Sequence, residues 1–208
     1  MDIQFFGANC IVVNTKQVRI TIDDNLTELG VNGPTKAGDV VLFTNKSEIP
    51  KVETKLVIDG PGEYEVAGIS IKGMSVRAHM DTVDQKTATL YKITADDLNL
   101  VVTGHIYPEL TENELETIGL VDILCVPVGG NGYTLDPAGA LSIIKKIEPK
   151  LVIPTNYADK ALKYTVPQQS LDEALNTLAI EPRETISRLK IKASDLSDAL
   201  QLVVLERS

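Results

Sequence analysis

The sequence predicts an α/β fold of two mixed β-sheets packed face to face, with helices outside. Three observations predict it. Residues 2 to 103 read almost wholly as strands and tight turns. After residue 104 helical patterns alternate with short apolar strands, and the chain closes on two further strand-like runs. The loops between the early strands are too short for the crossover helices that a doubly wound parallel sheet requires.

The first strand falls on Ile3 to Phe6, before a Gly7-Ala8-Asn9 turn. Residues 11–13 and 18–22 pair as a hairpin across Asn14-Thr15-Lys16. Residues 24 to 38 are polar and glycine-bearing, a loop. Residues 40–43 are continuously apolar, as a central strand buried on both faces would be. Strands are expected at 56–58, 63–66, 69–72, 88–93 and 98–102, the last two joined as a hairpin. Thr111 and Glu114 form a capping box, and Ser170 and Glu173 repeat it, so helices start at both places. Asp136-Pro137 supplies an N-cap followed by proline at the first helical position, with Leu141, Ile144 and Ile147 at helical spacing. Strands are expected at 123–126, 151–153, 186–191 and 200–205. No repeat or linker divides the chain, so one domain over residues 1–208 is expected.

Acidic residues outnumber basic ones by 29 to 20, a net charge of −9. Such a chain repels nucleic-acid backbones and anionic membranes, so neither is an expected partner. The beginning carries no basic and apolar leader, and no run approaches the ~20 apolar residues of a membrane span, so a cytoplasmic protein is expected. Cys10 and Cys125 fit no disulfide or zinc spacing and lie in apolar runs, which reads as buried free thiols. Tryptophan is absent and aromatics are few, which removes the usual stacking platforms for bases or sugars.

Ligands in α/β proteins collect at the carboxyl ends of central strands. Four such junctions matter: residues 44–50, Gly104-His105, residues 129–133 and residues 154–157. The glycines of 129–132 lack the lysine of a phosphate loop, and Asp136 would repel an anion there, so a structural turn is expected. Asp59-Gly60-Pro61-Gly62 likewise reads as a tight turn. Ser47 or Cys10 with His105 and Asp23 could be drawn as a nucleophilic set, but no Gly-x-Ser-x-Gly elbow supports it.

Three stretches carry a resemblance: Asp59-Gly60-Pro61-Gly62-Glu63-Tyr64-Glu65-Val66, Val126-Pro127-Val128-Gly129-Gly130 with Tyr133-Thr134, and Glu148-Pro149-Lys150-Leu151-Val152-Ile153-Pro154. With their order and spacing along most of the chain, the sequence resembles the metallo-β-lactamase-fold superfamily, in its short branch near the ascorbate-phosphate lactonases. The resemblance implies a four-layer αβ/βα sandwich. It also implies a metal site, since family enzymes hold one or two ions, typically zinc, in a His-x-His-x-Asp-His loop after the strand matching residues 40–43.

Residue by residue, those ligands are missing. Asn45, Ser47, Ile49 and Pro50 stand in the loop, Ala8 replaces an early His, His105 replaces a bridging Asp, and Asn156 replaces a late His. Asp23 matches a family Asp that orients the loop, and a structural hydrogen-bonding role is expected for it. Structural zinc binds with about 10–16 kcal/mol drawn from three or four ligands together, which His79 and His105 alone would not supply. The expectation is therefore a non-catalytic protein with no catalytic residue and no cofactor. It would bind a small polar ligand in a remnant cleft of Asn45, Ser47, His105 and Asn156, or a protein partner. Self-association, or support of an active paralogue, is a further possibility. The alternative is a divergent zinc- or manganese-dependent hydrolase of lactones, esters or phosphodiesters, its weak ligand candidates being His79, His105 and Asp23.

Overall fold

The computed structural model describes residues 1–47 and 50–208. One sheet holds β1 (Asp2–Gly7), β2 (Cys10–Asn14), β3 (Arg19–Ile22), β4 (Val40–Leu42), β5 (Leu56–Ile58) and β13 (Leu189–Lys190), in the order β13-β1-β2-β3-β4-β5. The other holds β6 (Gly62–Val66), β7 (Ile69–Val76), β8 (Ala88–Ala95), β9 (Leu98–Val102), β10 (Ile123–Pro127), β11 (Leu151–Thr155), β12 (Glu184–Ile186) and β14 (Gln201–Leu205), in the order β12-β14-β11-β10-β9-β8-β7-β6. Both sheets are mixed. β1 to β3 pair antiparallel, whereas β3, β4 and β5 run parallel. β6 to β9 pair antiparallel, whereas β9, β10, β11, β14 and β12 run parallel.

The inner faces meet through Ile3, Ile11, Ile20 and Leu42 on one side and Ile71, Ile93, Leu100, Ile123 and Ile153 on the other. Each such side chain contributes about 1.5–3 kcal/mol on leaving water, so this layer dominates the cohesion of the two sheets.

Three helices, α1 (Glu112–Ile118), α2 (Pro137–Ile147) and α3 (Leu171–Leu178), cover the outer face of the eight-stranded sheet. Their starts follow from the caps read in the sequence. Thr111 Oγ1 accepts from the Glu114 amide at 3.3 Å while Glu114 accepts from the Thr111 amide at 2.8 Å. Ser170 and Glu173 do the same for α3, and Asp136 accepts from the Gly139 amide at 2.7 Å for α2. Ile143, Ile144 and Ile147 then bury against Val126, Val152 and Leu202.

The outer face of the six-stranded sheet is covered differently from the four-layer expectation. There, among the described residues, turns rather than a helix bring Leu26 and Leu162 onto Ala8 and Cys10, with Leu29, Val31 and Tyr164 packed around them. Gly30, Gly33 and Pro34 interrupt any helix in that stretch.

A second difference concerns residues 186–191, read as one strand. They are divided between two sheets: β12 ends at Ile186 in the eight-stranded sheet, and β13 begins at Leu189 in the six-stranded one. Ser187 and Arg188 make the crossing, and Arg188 pairs with Asp2 of β1 at 2.5 Å.

The parallel strands β3, β4, β9, β10 and β11 aim their carboxyl ends at one edge of the sandwich, where the turn after β1 also lies. That edge is where strand topology places a ligand.

Candidate functional site

A cavity of about 350 Å³ opens at this edge. Its floor begins at Asp23, the residue after β3, which adopts a left-handed φ of 50°. That turn aims the carboxylate at Thr44, whose amide and hydroxyl each donate to it at 2.7 Å. Burial raises the Asp23 pKa to about 6 against the pull of the two Thr44 donors. Thr44 in turn fixes the chain beyond β9. Gly104, at φ 61°, lies so close that a Cβ there would come within 2.1 Å of Thr44 Oγ1. Only glycine fits both the conformation and the space.

His105 follows. Its Nε2 accepts from Asn9 Nδ2 at 3.2 Å, and Asn9 Oδ1 accepts from Thr155 Oγ1 at 2.8 Å. With Asn9 donating to Nε2, the ring hydrogen sits on Nδ1, which is buried and without a partner among the described residues. Burial, with a smaller contribution from the His79 charge, lowers the His105 pKa to about 4, so the ring is neutral at pH 7. The Tyr133 ring lies against it, centroids 4.6 Å apart.

Asn156, just past β11 and also left-handed (φ 50°), donates its amide N–H to the Ala8 carbonyl at 2.7 Å. Its Nδ2 donates to Gln168 Oε1 at 2.9 Å, and Gln168 Nε2 donates to the Val166 carbonyl at 2.6 Å. Gly129 makes this packing possible, because a Cβ there would meet the Asn156 carbonyl oxygen at 2.0 Å.

The structure brings Asn45, Ser47, His105 and Asn156 to the lining of this one cavity, together with Asp23. His79 is not in that lining. Its amide donates to the His105 carbonyl at 2.8 Å and its ring lies 6.3 Å from that of Tyr107. Within the lining His105 bonds to Asn9 and Asn156 bonds to Gln168. Glu48 and Ile49 lie outside the described residues. Pro50 is half-buried and absent from the lining. Cys10 is also absent from it, and burial pushes its thiol well above the ordinary range, so it offers no thiolate nucleophile.

Sequence reasoning missed Asn9 and Gln168. Asn9 sits beside the former ligand position Ala8, but nothing local says that its amide spans from Thr155 to His105. Gln168 lies in a stretch without a motif. Stacking surfaces were also underestimated, since Tyr133 and Tyr164 both face the cavity.

Residues 2–156 match the beta-lactamase superfamily domain, and the chain belongs to the metallo-β-lactamase-fold superfamily. A Thermotoga maritima protein assigned as a zinc-dependent hydrolase of that superfamily is 26% identical, with 99% of each chain covered and a TM-score of 0.77. A metal-dependent hydrolase assignment from Parabacteroides distasonis is 16% identical over 99% of this chain and 93% of that one, with a TM-score of 0.67. Igni18, a metallo hydrolase of the archaeon Ignicoccus hospitalis, is 17% identical over 100% of this chain and 95% of its own, with a TM-score of 0.61. No curated protein sequence matches the chain.

The superfamily implies a metal, and the side chains of the described residues do not fit one. Among the described residues no three His, Cys, Asp or Glu side chains converge to hold an ion. Most of the polar groups in the lining are instead amides and hydroxyls, which hold zinc poorly, and the carboxylates there are Asp23, bonded to Thr44, and Glu28. The one imidazole there has its accepting nitrogen committed to Asn9.

Proposed function

We infer that this chain is a non-catalytic member of its superfamily that uses the cavity to bind a small polar ligand. One observation carries the reading: two of the side chains that the resemblance matches to ligand positions, His105 and Asn156, are engaged with protein partners. His105 Nε2 takes the Asn9 amide and Asn156 Nδ2 takes Gln168, so the geometry that would have surrounded a cation is closed by hydrogen bonds. Water activation by a metal hydroxide has no support from such a donor set. A cavity of about 350 Å³ with convergent polar groups is at the lower end of small-molecule sites, which run from about 300 to 1,000 Å³.

A second reading, a divergent metal-dependent hydrolase, draws on the names of the relatives. Its ligand set of His79, His105 and Asp23 is disfavoured by the position of His79 outside the lining. Elemental analysis of purified protein separates the two, together with assays of generic lactone and phosphodiester substrates with and without added zinc or manganese. The expected result is less than about a tenth of an equivalent of metal, because the roughly 10–16 kcal/mol of a structural zinc site needs three or four ligands, and no turnover above background. Stoichiometric metal, or metal-dependent hydrolysis, would establish the hydrolase. Binding to a protein through a sheet edge, or support of an active paralogue, predicts a larger species by size exclusion.

A further inference from the structure

The chemistry of the lining narrows the ligand class, given the ligand-binding reading above, on which this step rests. Charge comes first. Besides neutral His105, the ionisable groups described around the cavity are Asp23, Glu28, Lys46 and the two phenols. Two carboxylates face a single ammonium, and Lys46 is exposed at the rim. A phosphate or carboxylate would enter an environment with no buried cation to receive it.

Hydrogen-bonding capacity comes second. Among the described residues, Asn156 gives one Nδ2 hydrogen to Gln168, and its side-chain carbonyl oxygen has no partner. Asn45 keeps its Nδ2 unspent, and its Oδ1 lies 3.3 Å from a Thr44 hydroxyl whose one hydrogen goes to Asp23. Asn25 Oδ1 is buried without a partner among the described residues, and although Asn25 lines the cavity that atom is closed to solvent. Ser47 adds a hydroxyl that both donates and accepts. Unspent donors and acceptors are thus interleaved. An anion offers only acceptors and a cation only donors, whereas a ligand hydroxyl offers both.

Shape comes third. The Tyr133 ring, 41% exposed and backed by His105, offers a flat face at the cavity wall. Aromatic faces of this kind cover the C–H surface of a ring while the edges hydrogen-bond.

We propose that the cavity takes an uncharged polyhydroxylated ring, of the monosaccharide or cyclitol class, hydrogen-bonded by Asn45, Ser47 and Asn156 and covered by Tyr133. The volume accommodates one such ring rather than a chain of them.

The test uses the full chain, with metal content measured first and chelator added afterwards. myo-Inositol and D-glucose are titrated by saturation-transfer NMR and calorimetry against glucose 6-phosphate, inositol 1-phosphate and putrescine. The expected result is saturable binding of at least one neutral ring, with its phosphorylated form about tenfold weaker or more, the scale of one unpaired charged group. Asn45→Ala is expected to weaken the neutral ligand about three- to tenfold, the scale of one hydrogen bond. Lys192→Ala, in a separate cleft, should leave binding unchanged, and melting curves confirm that both variants fold. Tighter binding of the phosphorylated rings, binding of putrescine alone, or no saturable binding by folded protein would each overturn the proposal. Bound metal found at the first step would instead overturn the non-catalytic reading, so the two failures are distinguishable.

Discussion

The sandwich has a cleft at each end of β1, and the two are built on opposite principles. At the carboxyl end lies the cavity of Asn9, Asp23, His105 and Asn156, lined mostly by neutral polar groups that bond to one another. At the amino end a more open cleft of about 580 Å³ is lined by Lys16, Lys190 and Lys192 and by Asp96, Asp97 and Asp195. Most of these charges stand where water can solvate them; Asp96, 9% exposed, pairs with the buried Met1 amine at 3.3 Å. In the carboxyl-end cavity the chain uses mostly amides and hydroxyls, with the buried Asp23 carboxylate held by two donors from Thr44.

That contrast can be broken most severely at Gly129. Gly129→Ala drives a methyl group into the Asn156 carbonyl, and a loss of about 3–5 kcal/mol is expected, the range of severe overpacking. Chemical denaturation reads it, and a loss under about 1 kcal/mol would mean that the loop yields. Next is Asn9→Ala, which strands Thr155 Oγ1 and His105 Nε2 together. A loss of about 2–3 kcal/mol is expected by the same measurement, set by two unpaired buried groups.

A smaller effect sharpens the contrast through pH. Asp23 has its folded pKa raised to about 6, so its contribution is fully present below its unfolded value of about 4 and is lost as pH rises through about 6. His105 has its folded pKa lowered to about 4, so its contribution is fully present above its unfolded value of about 6.5 and is lost as pH falls through about 4. Between pH 4 and pH 6.5, roughly, the two slopes oppose and largely cancel. Asp23→Asn should therefore lose stability on acidification relative to the parent, and His105→Gln should gain it, each by an amount of the order of 2 kcal/mol across that window. Parallel curves for parent and variants would refute the coupling. The smallest effect belongs to the open cleft, where Lys192→Ala should change stability by no more than about 0.5 kcal/mol.

Much of the fold was legible because its signals are local. The runs at 40–43 and 123–126 are apolar because both faces of those strands are buried, and Thr111, Asp136 and Ser170 announce their helices by capping chemistry alone. The site was legible only through the resemblance, which matched Ala8, Asn45, Ser47, His105 and Asn156 to former ligand positions. The bonds these residues make were not legible. Asn9 and Thr155 are 146 positions apart, and Gln168 reaches Asn156 across a turn, so their bonds exist only once both sheets are in place. The run 186–191 was misread for a related reason. Alternating apolar residues show that a strand forms, but not which sheet receives it.

That crossing has a mechanical consequence. β12 is the outermost strand of one sheet and β13 the outermost strand of the other, with Ser187 and Arg188 alone between them. The tail is therefore a stitch along one margin, and the two layers cannot part there without pulling both borders loose at once. Slow amide exchange at Ile186 and Leu189 should rise and fall together, as two ends of one thread.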